Sequence, residues 1–315
     1  MGLIVAACLT LATQAEIQVG RDSLLVERAD ARIQVFTYKS PNFDRGPMIV
    51  VCHGMLRNAD EYRDDARALA DRVGGLVVAP EFPLDDFPYE RYQAGGLLAD
   101  GELTPRSSWT WQLVLAVVEE IRRRESQPDM PYYLFGHSGG GQFLVRMAGF
   151  VPTDAQRIVV ANAGAQLFPS RDLPYPYGFG GLPNEVSDDA ALQRYLAQPI
   201  TLYLGDDDRL RDEYLDVTDE AEQQGANRRA RARNSFEAAK RLAKEKGWRF
   251  NWQLVTAPGV AHDHQKMLDH GLCETALHPD RQAKGSRRSV RSTAIIPNGA
   301  IRSVAFKTRR NQLRR

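Results

Sequence analysis

The chain has 315 residues, 43% hydrophobic and 26% charged, with a formal charge of +1 and a mean hydropathy of −0.42, a balance that excludes wholesale disorder, a collagen-like repeat and a polytopic membrane protein. Eleven of the 41 Lys and Arg follow Asp280, the last acidic residue, so the preceding chain holds 30 basic against 40 acidic residues. An acidic body of this kind repels nucleic acid, and isolated basic residues in a tail give only unspecific attraction to it.

Residues 2–12 are uncharged and mostly apolar, and Thr13-Gln14-Ala15 precedes Glu16. Residues 1–15 thus have the form of a short export leader lacking its basic start, which points to a periplasmic or secreted protein. The alternative is a buried first strand of a cytoplasmic protein, since so few apolar residues do not span a bilayer. Residues 16–279 read as one folded domain. Within it, residues 32–38 alternate and predict an antiparallel edge strand, whereas 48–52 are continuously apolar and predict a buried parallel one. Asn58 or Asp60 opens a helix reaching about Val73, with Tyr62, Ala66, Leu69, Ala70 and Val73 on one face, and Gly74-Gly75 ends it before a strand over 76–79. The pattern repeats as a helix over 108–124, a strand over 132–135, a helix over 140–150 and a strand over 158–161. Such alternation predicts an α/β fold with a mostly parallel central sheet and helices on both faces.

Periodicity fails between residues 166 and 198, a stretch rich in Pro, Gly and aromatics. A loop of that length inside a domain is usually functional, so Tyr175, Tyr177 and Phe179 are candidate walls of a substrate pocket, with packing beneath the loop as the alternative. Strands resume at 200–204 and 250–255 around a charged helix over 230–246. Residues 280–315 lack a sustained period and read as a basic, disordered tail, dispensable for activity.

Gly136-His137-Ser138-Gly139-Gly140 fits Gly-x-Ser-x-Gly between a predicted strand and a predicted helix, the context in which a sharp turn exposes the serine at the carboxyl edge of a sheet. A serine hydroxyl needs a base to take its proton and a carboxylate to orient that base. Asp206, Asp207 and Asp208 follow one predicted strand and His262 follows another, all at the same sheet edge as Ser138. Of the three acids Asp208 is favoured, lying farthest round the turn after Gly205. His264 is the rival base, and Asp263 suits a helix cap better than chemistry. The amides of Gly139 and Met55 are the expected oxyanion donors, and His53 is expected to brace its loop. Cys8, Cys52 and Cys273 are too scattered for a disulfide framework or zinc site, no zinc signature involves the histidines, and Leu210 and Arg211 do not suit a calcium loop at the three aspartates.

These pieces extend into a wider pattern: His53-Gly54 with Arg57-Asn58, Tyr62-Arg63-Asp64, Ala79-Pro80-Glu81-Phe82, Trp109-Thr110-Trp111, Ala161-Asn162-Ala163-Gly164, Tyr175-Pro176-Tyr177-Gly178, Gly225 with Asn227-Arg228, and Pro258-Gly259 with His262. The run 33–277 resembles the α/β-hydrolase superfamily, and within it bacterial esterases similar to polyhydroxybutyrate depolymerases and feruloyl esterases. The resemblance implies an α/β-hydrolase fold, Ser138 as nucleophile, Asp208 as acid, His262 as base and no cofactor. The tail from Arg281 has no counterpart in it. The expected activity is cleavage of carboxylic esters, small or polymeric, through an acyl-enzyme. A peptidase or other acyl hydrolase on the same residues, or a binding protein on a hydrolase scaffold, are the alternatives, with no specific nucleic-acid partner and no membrane span.

Overall fold

Apolar runs without alternation take the centre of the sheet, because a strand covered on both faces has no polar side to present. The computed structural model describes residues 15–28 and 31–278. Apart from Ala15, the leader and tail expectations fall outside the described residues. The chain opens with β1 (Gly20–Arg28) and β2 (Ala31–Lys39), then β3 (Met48–Cys52). Helices α1 (Ala59–Asp65) and α2 (Arg67–Val73) lead to β4 (Leu76–Pro80). A small ribbon of β5 (Leu98–Ala99) and β6 (Glu102–Leu103) precedes α3 (Trp111–Arg124), β7 (Tyr132–His137), α4 (Gly139–Phe150) and β8 (Arg157–Ala161). Then come α5 (Asn184–Ser187), α6 (Asp189–Ala197), β9 (Ile200–Gly205), α7 (Asp219–Gln224), α8 (Arg228–Lys246), β10 (Gln253–Ala257), α9 (His264–Asp269) and α10 (Leu272–Leu277).

Eight strands form one sheet in the order β1-β2-β4-β3-β7-β8-β9-β10, antiparallel at β1/β2 and β2/β4 and parallel at every later pairing. Alternate residues of β3 show how the core is shared: Met48, Val50 and Cys52 join the cluster under α3, α4, α6 and α8, while Ile49 and Val51 join the one under α1, α2, α9 and α10. The parallel register pairs Cys52 with Gly136, His137 with Ala161 and Ala257 with Gly205. The carboxyl ends of β3, β7, β8, β9 and β10 are thereby lined up at one edge, the place where open α/β sheets bind ligands.

Several expectations change in detail. The strand over 32–38 is not the edge; β1, whose exposed polar residues hide its period, pairs outside it. The helix over 58–73 is interrupted at Ala66, yet its bonds run on, from Ala66 N to Tyr62 O and from Ala70 N to Ala66 O. Gly74 ends it in the left-handed conformation, φ 63°. The strand expected over 250–255 starts only at Gln253, because Trp252 is a plug: its ring lies edge-on to Tyr195 and its indole N–H donates to the Tyr195 carbonyl at 3.2 Å. Only the first half of the stretch 166–198 is irregular, since Asp188 caps α6 by accepting from the Ala191 amide.

Candidate active site

Ser138 closes the turn between β7 and α4 with φ 56° and ψ −115°, a conformation that a side-chain-bearing residue holds only when its surroundings enforce it. The enforcement is visible on both sides. The Ser138 amide donates to Ala161 O at 3.0 Å and its carbonyl accepts from Gln142 N at 3.0 Å. Gly140 permits the close approach of α4 to β3, since a Cβ there would lie 2.1 Å from the Cys52 carbonyl oxygen.

His262, on the loop between β10 and α9, stands with Nε2 3.0 Å from Ser138 Oγ and Nδ1 2.8 Å from Asp208 Oδ2. The three side chains come from separate loops, and backbone bonds fix the loop of Asp208 to that of His262: Asp206 N donates to Ala257 O and Asp207 N to Val260 O, each at 2.9 Å. Asp208 is buried; Asp207 is exposed, and Asp206 is turned outward to Arg229 at 2.7 Å and Arg209 at 3.4 Å. His264 does not approach Ser138. It stands 2.8 Å from Asp65 and stacks on Tyr62 with ring centres 4.1 Å apart. Asp263 caps α9, accepting from Lys266 N at 3.0 Å.

The backbones of Gly139 and Met55 converge, a Cβ built on Gly139 lying 3.5 Å from Met55 N. His53 braces this loop. Its Nδ1 donates to Gly54 O at 3.0 Å and its Nε2 accepts from Phe82 N at 3.0 Å, while burial lowers its pKa to about 4, so the ring is neutral. Arg57, itself at φ 62°, donates to Phe82 O at 3.1 Å and lays its guanidinium over the Tyr92 ring at 4.4 Å; the Tyr92 hydroxyl donates to His53 O at 2.7 Å.

Beside Ser138 lies a cavity of about 420 Å³ whose floor includes Tyr62, His137 and His264 and whose rim includes Met55, Leu56, Leu210 and Tyr214. Tyr175, Tyr177 and Phe179 are not among its lining residues. Phe179 is buried between Phe150 and Tyr195, Tyr175 packs edge-on to Phe150, and the Tyr177 hydroxyl donates to Asp216 at 2.7 Å. The rings of Tyr175 and Phe179 thus cover Phe150 at the far end of α4, away from the cavity.

Sequence reasoning gave no role to four buried polar residues around the site. Arg228 makes a two-pronged pair with Asp212 at 2.7 and 2.8 Å and stands 3.7 Å from Asp208 Oδ1. Asn162, at the end of β8 with φ 45°, accepts from Gly205 N at 2.8 Å and donates to Ala261 O at 3.2 Å, joining the loops that carry Ser138, Asp208 and His262. Tyr62 and His137 complete the floor. A polar residue at the carboxyl end of an apolar strand, as at His137 and Asn162, was the available signal. Among the described residues no group of three or more His, Cys, Asp or Glu could hold a metal ion, and no helix is long and apolar enough to cross a membrane.

No family model and no curated protein matches this chain. Solved structures do. A poly(3-hydroxybutyrate) depolymerase from Bordetella parapertussis is 34% identical, with 86% of this chain and 94% of that one covered and a TM-score of 0.77. The chain belongs to the α/β-hydrolase superfamily. Poly(aspartic acid) hydrolase-1 from Sphingomonas sp. KT-1 is 31% identical over 80% of this chain and 96% of that one, with a TM-score of 0.76. The two relatives act on different polymers by name, so membership of the α/β-hydrolases supports hydrolysis without choosing the bond.

Proposed function

We propose that the protein is a serine hydrolase that cleaves carboxylic esters through an acyl-enzyme, with Ser138, His262 and Asp208 as its catalytic triad. The observation that carries this reading is the unbroken array from Asp208 Oδ2 through His262 to Ser138 Oγ, with contacts of 2.8 and 3.0 Å. His262 Nε2 takes the hydroxyl proton as Ser138 attacks the ester carbonyl, while Asp208 accepts from Nδ1–H and supports the imidazolium that forms. The Gly139 and Met55 amides receive the oxyanion, His262 returns the proton to the departing alcohol, and water repeats the sequence on the acyl group.

The charge of the cavity favours an ester over a polyacid. Among the described residues that line it there is no Lys or Arg, Asp212 is neutralised by Arg228, and Glu213 is exposed at its wall. A chain carrying a carboxylate on every unit would meet like charge there, whereas a neutral ester meets the apolar rim.

A fluorophosphonate probe tests the nucleophile directly. The wild type should be labelled and Ser138→Ala should not, with turnover of 4-nitrophenyl esters falling about 10⁶-fold while the fold persists. A folded wild type that never labels would refute the serine-hydrolase reading.

A further inference from the structure

Among the described residues the Tyr62 hydroxyl makes one side-chain hydrogen bond, with His137 Nδ1 at 3.1 Å, and the direction of that bond decides where its hydrogen goes. Asn162 decides this. Its Oδ1 accepts from the Gly205 amide and its Nδ2 donates to Ala261 O, so the amide cannot be flipped, and the group it turns to His137 Nε2 at 3.5 Å is an N–H donor. Nε2 of His137 is therefore the acceptor. Burial, with His262 and His264 nearby, holds the His137 pKa well below its ordinary value, so the ring is neutral and its one proton sits on Nδ1. Nδ1–H donates to Tyr62 Oη at 3.1 Å.

With its oxygen occupied as an acceptor, Tyr62 directs its own O–H elsewhere. With the His137 proton on Nδ1, the one side-chain hydrogen bond of this hydroxyl among the described residues is one that it accepts. Burial raises its pKa, so it stays protonated. The side chain is buried yet lines the cavity that Ser138 also lines, and its oxygen stands beside the loop after β3, where a Cβ on Gly54 would come within 2.9 Å of it and 3.6 Å of Ser138 Cβ. The same cavity wall carries His262, whose ring centre is 4.7 Å from that of His137. The group that His262 protonates must occupy this part of the cavity.

We propose that Tyr62 is a further catalytic residue, whose hydroxyl donates a hydrogen bond to the departing alcohol oxygen of the ester. This rests on the serine-hydrolase reading above and extends it. In the step concerned, the carbon–oxygen bond of the tetrahedral adduct breaks and the carbonyl re-forms on the acyl group held by Ser138. The bonding pair stays on the alcohol oxygen, which takes its proton from His262 Nε2. Tyr62 stabilises the charge developing on that oxygen and keeps its own proton. Its help matters most where the alcohol leaves reluctantly.

The experiment is a series of acetate esters with alcohols of rising pKa, from 4-nitrophenol to ethanol, read as kcat/KM for wild type and Tyr62→Phe, which keeps the ring stacked on His264. The expected result is a steeper dependence on alcohol pKa in the variant: a loss for ethyl acetate about 10- to 100-fold greater than the loss for 4-nitrophenyl acetate, the span of one hydrogen bond to a charged group. Labelling by a fluorophosphonate, which expels fluoride, should slow no more than hydrolysis of 4-nitrophenyl acetate does. An equal loss along the whole series with slowed labelling would make Tyr62 a brace for the nucleophile turn and overturn the proposal, as would an unchanged slope. An unlabelled, inactive wild type is a separate result that removes the underlying reading and this proposal with it.

Discussion

Asp206, Asp207 and Asp208 are the same residue three times in succession, and their surroundings alone separate them. The turn after Gly205 buries Asp208 to 1% exposure against His262 and Arg228, leaves Asp207 in solvent and gives Asp206 to Arg209 and Arg229 on the surface. On the proposed mechanism the carboxylate of Asp208 holds the imidazole tautomer that Ser138 needs, whereas those of Asp206 and Asp207 exchange one solvated environment for another. Asp208→Asn should therefore cost about 10⁴-fold in kcat for 4-nitrophenyl esters, by the wrong-tautomer effect. Asp206→Asn and Asp207→Asn should each change the barrier by less than about 1 kcal/mol, the worth of an exposed pair. Steady-state kinetics on the three variants decides the matter, and a larger loss at Asp206 or Asp207 would contradict the burial argument.

At the scale of an element, the stretch from 166 to 183 is a plug rather than a pocket wall. Phe179 sits 1% exposed with ring centres 5.3 Å from Phe150 and 5.5 Å from Tyr195, and Tyr195 in turn meets Trp252. Truncating such a ring removes both transfer energy and packing, so Phe179→Ala should lower stability by about 3 to 5 kcal/mol in urea denaturation. It should leave the ratio of kcat/KM between short-chain and aromatic esters unchanged. A tenfold shift in that ratio at undiminished stability would return the segment to substrate recognition. The sequence could not make this distinction, because an aromatic residue without periodicity looks the same whether it faces a ligand or a helix. What the sequence does carry is the part governed by local rules, Met48 to Cys52 as a doubly covered strand and Gly136 to Gly140 as a strand-to-helix turn, and the strand pattern that sets Ser138, Asp208 and His262 at one sheet edge, where their side chains meet. The plug at Trp252 depends on Tyr195, remote in the chain, and has no local signature.

Across the whole molecule, two neutral histidines are built into the buried carboxyl edge of the sheet, His53 after β3 and His137 at the end of β7. Both have pKa values depressed by burial, to about 4 for His53 and well below the ordinary value for His137. The unfolded chain binds a proton at each near pH 6.5, whereas the folded chain resists doing so until the pH is much lower. Between those limits the unfolded state holds more protons, so the stability present at pH 7 is lost as the pH falls through 6.5 toward 4. Each histidine contributes a slope of about 1.4 kcal/mol per pH unit, and the pair about 2.7 kcal/mol. Carboxylates held low by ion pairs, such as Asp64 with Arg21 and Arg63, add their own loss only below about pH 4. Urea denaturation at pH 7, 6 and 5 should therefore show a steep fall over a range in which carboxylates are still ionised. His53→Gln, which can still accept from the Phe82 amide and donate to the Gly54 carbonyl, should reduce that slope by about half. A stability that stays level from pH 7 to 5 would mean that one or both rings take up a proton without unfolding, and would remove the neutral His137 on which the donor role of Tyr62 depends.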